Sequence, residues 1–221
     1  MKCVIPYKEN GGVELKYCLR GIEKFVENPE IIIIGSEPAW IKNVKVIFFP
    51  NGRALRFKEW NIFRKICQVK EDFLFFNDDH FLLQPFDKGT YHFSGKLSKR
   101  MKDYGSNEYW KTIQNTINII GDADNYFRHA PIFIRHEILE KIKELDWNAW
   151  FGYCVKSLYC HYAGIQGTEY PDLKITARLP LSHLREATKG RQYFSTGNFV
   201  INTDMVTFLE ETYPHKSKFE K

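Results

Sequence analysis

Phe73-Leu74-Phe75-Phe76-Asn77-Asp78-Asp79-His80-Phe81-Leu82-Leu83 sets four polar residues between two apolar runs. Four consecutive apolar residues without alternation read as a strand covered on both faces, central in a sheet. The polar residues follow at its carboxyl end, the edge of an open α/β sheet at which ligands bind. Two adjacent carboxylates there repel each other in the absence of a cation. A hard divalent ion such as Mg2+ or Mn2+ takes oxygen ligands, keeps several waters and bridges carboxylates to a diphosphate. It also neutralises the charge on a departing phosphate group. Asp78 and Asp79 are therefore candidate metal ligands, Asn77 and Asp78 candidate contacts to the phosphates, and His80 a third ligand or a phosphate contact. The same residues also suit a plain Asn-Asp turn whose side chains bond their own backbone, with His80 packing or capping.

Toward the N-terminus, short apolar runs alternate with amphipathic stretches, the pattern of βα units building a mainly parallel sheet. Cys3-Val4-Ile5-Pro6-Tyr7 reads as the first strand. A polar loop follows, and then Leu15, Leu19, Ile22 and Phe25 recur at helical spacing. Ile31-Ile32-Ile33-Ile34, closed by Gly35-Ser36, is a second strand, and residues 44–49, closed by Pro50-Asn51-Gly52, a third. Trp60, Phe63, Ile66 and Cys67 predict a helix within residues 55–69. Beyond Leu83 the pattern is weaker. Residues 87–107 are polar and glycine-punctuated and predict a hairpin or a mobile loop over the site. Residues 108–120 and 134–145 carry helical spacing.

With 221 residues, 43% of them hydrophobic and 27% charged, the chain fits one α/β domain spanning 1–221. No apolar run is long enough to cross a membrane. The opening Met1-Lys2-Cys3-Val4-Ile5-Pro6, interrupted by Lys8 and Glu9, leaves no room for a signal peptide, so the expectation is a cytoplasmic protein. The five cysteines are scattered among apolar neighbours and read as core residues; Cys154, Cys160 and His161 lack the paired spacing of a zinc site. The net charge of +5 is uneven, with Arg178, His183, Arg185, Lys189 and Arg191 close together. That run is either a solvated face or a site for an anion, phosphate-bearing or nucleic acid. Glycine-rich phosphate loops, the Gly-x-Ser-x-Gly elbow and the His-Glu-x-x-His helix are all absent from the sequence.

The order of these features resembles the GT-A nucleotide-sugar transferases: Ile5-Pro6-Tyr7 on the first strand, and an acidic motif closing the fourth in the place of that family's Asp-x-Asp. More narrowly, residues 10–25, Ile32-Ile33-Ile34-Gly35 with Pro38-Ala39-Trp40, and Phe75-Phe76-Asn77-Asp78-Asp79-His80-Phe81 are similar to the Stealth capsule sugar-phosphate transferases. Arg128-His129-Ala130-Pro131 and the helix beginning near His136 extend that similarity. Where Stealth proteins carry an Asp on the first strand, this chain has Pro6-Tyr7-Lys8-Glu9.

The resemblance implies a single GT-A-like, Rossmann-like α/β domain with helices flanking the sheet. Residues 1–85 would be the nucleotide-sugar half and 86–221 the acceptor half. Asp78 and Asp79 would hold Mn2+ or Mg2+ and the diphosphate. Pro6, Tyr7 and Asn10 would flank the nucleotide, with Tyr7 stacking on the base, and Arg20, Lys58 and Asn61 would reach nucleotide or phosphates. His129 would be the acceptor-side acid/base, with Asp146, Asp122 and Asp124 as further candidate bases. Trp147, Trp150, Phe151 and Tyr153 would wall a sugar face. Arg185, Lys189 and Arg191 would clamp the diphosphate or an anionic acceptor. The implied activity is metal-dependent transfer of a sugar from a nucleoside-diphosphate sugar to a hydroxyl of a glycan or a modified DNA base. Sugar-1-phosphate transfer of the Stealth kind and a non-enzymatic nucleic-acid-binding module are the alternatives.

Overall fold

Alternation along the first strand decides how the sheet is clothed. In the computed structural model, which describes residues 1–8, 12–52, 57–102, 107–126, 129–147, 151–197 and 199–221, β1 (Lys2–Tyr7) sends Cys3, Ile5 and Tyr7 to one apolar cluster and Val4 to another. Both faces of the sheet are thus buried, as a strand without polar alternation requires. α1 (Glu14–Phe25), β2 (Glu30–Gly35), β3 (Lys45–Phe48), α2 (Lys58–Ile66) and β4 (Phe73–Phe75) complete the βα series. β1 pairs in parallel with β2 and with β4, and β2 with β3.

The chain continues through β5 (His80–Leu82), β6 (His92–Phe93), α3 (Leu97–Lys102), α4 (Glu108–Ile120), β7 (Ile132–Ile134), α5 (His136–Lys143) and α6 (Val155–Tyr162). It ends with β8 (Thr168–Glu169), β9 (Lys174–Ile175), α7 (Leu181–Thr188), β10 (Tyr193–Thr196) and α8 (Thr203–Thr212). The main sheet has the order β3-β2-β1-β4-β7, and β7 runs antiparallel to β4. β4 is therefore interior, but β1 holds the centre expected for β4. A second sheet, β5-β10-β9, and the pair β6-β8 lie outside it.

α2, α5 and α6 pack on the face carrying Val4, Ile32, Phe73 and Phe75, and α1 on the face carrying Ile5, Ile33, Leu74 and Phe76. The other side of α1 also finds partners. Tyr17 joins Phe81, Phe194, Phe208 and Tyr213 beneath the second sheet, so α1 is buried between the two sheets. Asn107 caps α4 by accepting from the N–H groups of Tyr109 and Trp110 (3.0 and 3.2 Å), and Asn202 caps α8 through Met205 N (2.9 Å).

The segment expected to be a hairpin or loop, residues 87–107, instead holds β6 and α3. β6 pairs in parallel with the distant β8, a partner that local sequence cannot announce. The two sheets draw on both stretches of the chain, since β7 joins the first sheet beside β4 and β5 joins the second. Among the described residues, no helix is long and apolar enough to cross a membrane.

Candidate functional site

The polar turn after β4 is built by three backbone contacts. Phe76 N donates to Val4 O (2.9 Å), His80 N to Asn77 O (3.2 Å), and the Cys18 thiol of α1 to the same Asn77 carbonyl (3.5 Å). Asn77 N donates to His80 Nδ1 at 3.2 Å, and the His80 ring is fully buried. Burial, with Lys156, His129 and Lys174 nearby, drives the His80 pKa well below the ordinary value, so the ring is neutral. A neutral ring that accepts at Nδ1 carries its proton on Nε2 and has no lone pair left for a cation. The expectation that His80 is a metal ligand is corrected: it locks the turn that presents the carboxylates.

Asp78 and Asp79 are partly buried. Burial and then the charges of Asp79 and Glu14 push the Asp78 carboxyl up to about 7. Asp79 is raised too, by burial above all, against the opposing pull of Lys174 and Lys156. Asp79 Oδ1 and Glu14 Oε2 are buried without a hydrogen-bond partner. An orphaned carboxylate oxygen beside a second carboxylate suits a hard cation. Among the described residues no group of three or more His, Cys, Asp or Glu side chains is arranged to hold a metal ion. Asp78 and Asp79 would hold one with waters and substrate oxygens completing its shell.

Lysines surround the pair. On α2, Lys58, Asn61 and Lys65 recur at i, i+3 and i+7 and so share a face. Lys65 Nζ donates to Tyr7 O (3.0 Å), and both Lys65 and Asn61 are buried. Burial lowers the Lys65 pKa, and Asp78 opposes the shift. Lys58 feels burial first, but Tyr109 and the carboxylates of Asp79 and Glu59 leave its pKa raised. From α6, buried Lys156 donates to Ala130 O (2.5 Å) and lies 5.2 Å from the centre of the Phe75 ring. Glu59, its carboxyl raised to about 7 by burial, accepts from Val155 N at the start of that helix (3.2 Å). Lys174 of β9 has Nζ 3.5 Å from His129 Nδ1. Gly35 ends β2 opposite Tyr7 with φ of 138°, and a Cβ there would stand 1.8 Å from Tyr7 O. No other residue type fits that approach.

Lys58, Asn77, Asp78, Asp79 and His129 are thus gathered with Lys65 and the Tyr7 carbonyl, while Asn61 lies on the same face of α2 and Pro6 pairs with Ile34 on β1. The Tyr7 ring is not available to stack on a base, because it is 5% exposed inside the α1 cluster. Arg20 is corrected as well: its guanidinium is spent on both Glu220 carboxylate oxygens (2.8 and 2.9 Å) and on Tyr213 O (3.1 Å). Asp122 accepts from Ser98 N and Oγ, and Asp124 pairs with Lys96. Asp146 lines a different cleft, of about 310 Å3, with Trp60, Arg64, Lys143 and Trp147. Trp147 stacks on Phe63 (3.5 Å between centres, 7° between planes) and Tyr153 meets it edge-on; Tyr153 belongs to the core, and Trp147 packs on that core at the edge of the Asp146 cleft. Phe151 stacks on Phe57.

The basic run near residue 185 disperses. Arg185 forms an exposed bidentate pair with Glu211, Arg178 donates to Phe199 O, and Arg191 donates to Pro171 O and lies over Tyr170. All five cysteines are free and buried. Asn10 and Trp150 lie outside the described residues. Sequence reasoning missed Lys65, Lys156, Lys174, Glu14 and Gly35. The α2 stripe could have yielded Lys65, and a lysine inside the apolar run 153–160 could have flagged Lys156. Nothing local signals Lys174.

No protein-family model matches the sequence. The chain is 26% identical to an exopolysaccharide phosphotransferase of Streptomyces coelicolor, over 94% of this chain and 45% of that protein. It therefore spans less than half the length of that relative. Among solved structures it is similar to the galactosyltransferase LgtC, determined in complex with donor and acceptor sugar analogs. The TM-score is 0.54 at 10% identity, covering 100% of this chain and 98% of that one. It is also similar to the bifunctional glycosyltransferase WbbM (TM-score 0.52, 10% identity), over 98% of this chain and 50% of that one. The chain has the α/β fold of the GT-A glycosyltransferases, with a mostly parallel central sheet and flanking helices.

Proposed function

We propose that the chain is a glycosyltransferase that takes a sugar from a nucleoside-diphosphate sugar and gives it to a hydroxyl of a glycan. The observation that carries this reading is the Asp78–Asp79 pair, raised in pKa and partly orphaned, at the carboxyl end of β4 and ringed by lysines. A bound Mg2+ or Mn2+ would supply positive charge to the diphosphate as it leaves. Around it, Lys65 and the Tyr7 carbonyl border the side nearest β1, where the nucleotide is proposed to lie. Asp78 and Asp79 are the residues that would hold that ion. His129 is the acid/base group, taking the proton of the acceptor hydroxyl as that oxygen bonds to the anomeric carbon and the bond from sugar to phosphate breaks. Lys156 and Glu59 hold α6 against this site.

Sugar-1-phosphate transfer is the second reading, favoured by the sequence likeness to the phosphotransferase along most of this chain. The two differ in product: attack on the anomeric carbon releases a nucleoside diphosphate, and attack on phosphorus releases a monophosphate. The test incubates the protein with a panel of nucleoside-diphosphate sugars and Mn2+, with water as the acceptor, and identifies the nucleotide released. Metal-dependent diphosphate release, lost in Asp78→Ala and Asp79→Ala, is the expected result. Absence of binding and hydrolysis for every donor would overturn both readings.

A further inference from the structure

Phe199, which follows β10, combines two unfavourable features. Its ring is 88% exposed, and its backbone has φ of 65°, the left-handed region in which a bulky side chain is an outlier. The other described non-glycine residues of this conformation have ready accounts. Asn28 and Asn43 are of a type that tolerates it, and Phe151 stacks its ring on Phe57 (5.2 Å between centres). Phe48 is also exposed, at 77%, but it ends a regular strand three places from β4 in the main sheet.

Two contacts hold the segments around Phe199 together. β9 and β10 run in parallel, and beyond them Gly197 N donates to Ile175 O (2.7 Å) and Arg178 Nε to Phe199 O (3.2 Å). Backbone strain persists where its surroundings impose it, and it gathers at ligand sites. Register says which site. Ser195 of β10 stands opposite His80 of β5 in an antiparallel pair, so β10 leaves its sheet toward Asp79, the residue before His80. Four residues of chain span at most about 14 Å, which bounds the distance from Ser195 to Phe199. His80 Nε2 and Ser195 Oγ are both buried without a hydrogen-bond partner. This end of the second sheet therefore has unpaired polar atoms within and an apolar ring at its surface. A pyranose chain matches both, with hydroxyls at its edges and a face of C–H groups that the negative face of an aromatic ring attracts.

We propose that Phe199 is a platform for a sugar ring of the acceptor glycan, presented on the β5 side of the carboxylate turn while the nucleotide lies on the β1 side. The role of the sugar as acceptor rests on the transferase reading above; the platform itself does not.

The probes are neutral methyl glycosides of glucose, galactose, mannose and N-acetylglucosamine and the corresponding disaccharides. They are titrated into the full chain with and without a saturating nucleoside diphosphate and Mn2+. The expected result is that at least one glycoside binds in both conditions. Phe199→Ala should weaken it at least about fivefold, the scale of one aromatic contact, and Phe199→Trp should retain it. Nucleoside-diphosphate affinity should be the same in all three proteins. Phe199→Asn should lose the glycoside equally while melting no lower than wild type, since asparagine suits the left-handed backbone. Glycoside affinity unchanged in Phe199→Ala would overturn the proposal, as would a panel of which no member binds at any attainable concentration. Loss of nucleotide affinity together with glycoside affinity would assign the ring to the donor and overturn it too. A wild-type dimer that Phe199→Ala converts to monomer would make the ring a contact between copies, with the same consequence. If the nucleoside diphosphate fails to bind wild type, the transferase reading falls, and the glycoside titrations alone still decide whether the platform exists.

Discussion

Two places in this molecule bury carboxylates, and they are treated in opposite ways. Where α1 meets the last residues of the chain, Glu220 has everything it can use. Arg20 meets both its oxygens, Ser217 donates from N and Oγ, and the ion pair is 7% and 5% exposed. Burial pushes the Glu220 carboxyl up, but Arg20 and Ser217 outweigh it and hold the group below its ordinary range. At the end of β4, Asp78 and Asp79 are neighbours in the field of Glu14, keep an orphaned oxygen, and are held above theirs. The first arrangement has its hydrogen bonds complete within the protein; the second leaves a carboxylate oxygen without a protein partner, which is why the pair is the candidate site.

The contrast is broken most forcefully at Arg20. Arg20→Met leaves Glu220 buried and unpaired, and unfolding in urea should show a loss of about 3–5 kcal/mol. Arg20→Met with Glu220→Leu should recover most of it, and turnover per folded molecule should not change. A loss under about 1 kcal/mol would mean the pair is not the closed unit described. Asp79→Asn should do the reverse: turnover falls at least about 100-fold, the scale set by removing one preorganised electrostatic group, while the melting temperature stays level or rises. A fall in both would make the turn structural.

The pH dependence of stability separates the two regions by sign. Unfolded, Asp78 loses its proton near 3.8, and folded near 7, so across that window the folded state holds the extra proton. Its contribution to stability therefore falls as pH rises from about 4 to about 7. Glu220, depressed, contributes stability that is lost as pH falls through its folded value. Urea unfolding of the metal-free protein across this window should decline less steeply in Asp78→Asn; Glu59, raised in the same sense, keeps part of the slope. An unchanged slope would remove Asp78 from the account. The smallest effect belongs to Arg185→Ala. Its pair with Glu211 is exposed on both sides, so stability should move by less than about 1 kcal/mol and turnover not at all.

The first half of the fold was legible because each piece carries its own signal. Residues 2–7, 30–35 and 73–75 are strands with no polar face, and Leu15, Leu19 and Ile22 repeat at helical spacing. The second half was legible at α4 and α5, where the spacing is helical, but not at its two-residue strands β6, β8 and β9, which exist only through partners far away in sequence. Arg20 shows the same limit at the level of one side chain. Its place on α1 was readable, but Glu220, 200 residues on, was not.

By itself the sequence determined that the fold is a βα series and that a carboxylate pair closes its fourth strand, because apolar periodicity and turn chemistry are local properties. Only the tertiary structure decided what each charge is for. It spent Arg20 on Glu220, Arg185 on Glu211 and His80 on its own turn, and it carried Lys65, Lys156 and Lys174 to the aspartates on three separate elements. Electrostatic energy depends on distance through space, and sequence separation says nothing about that distance.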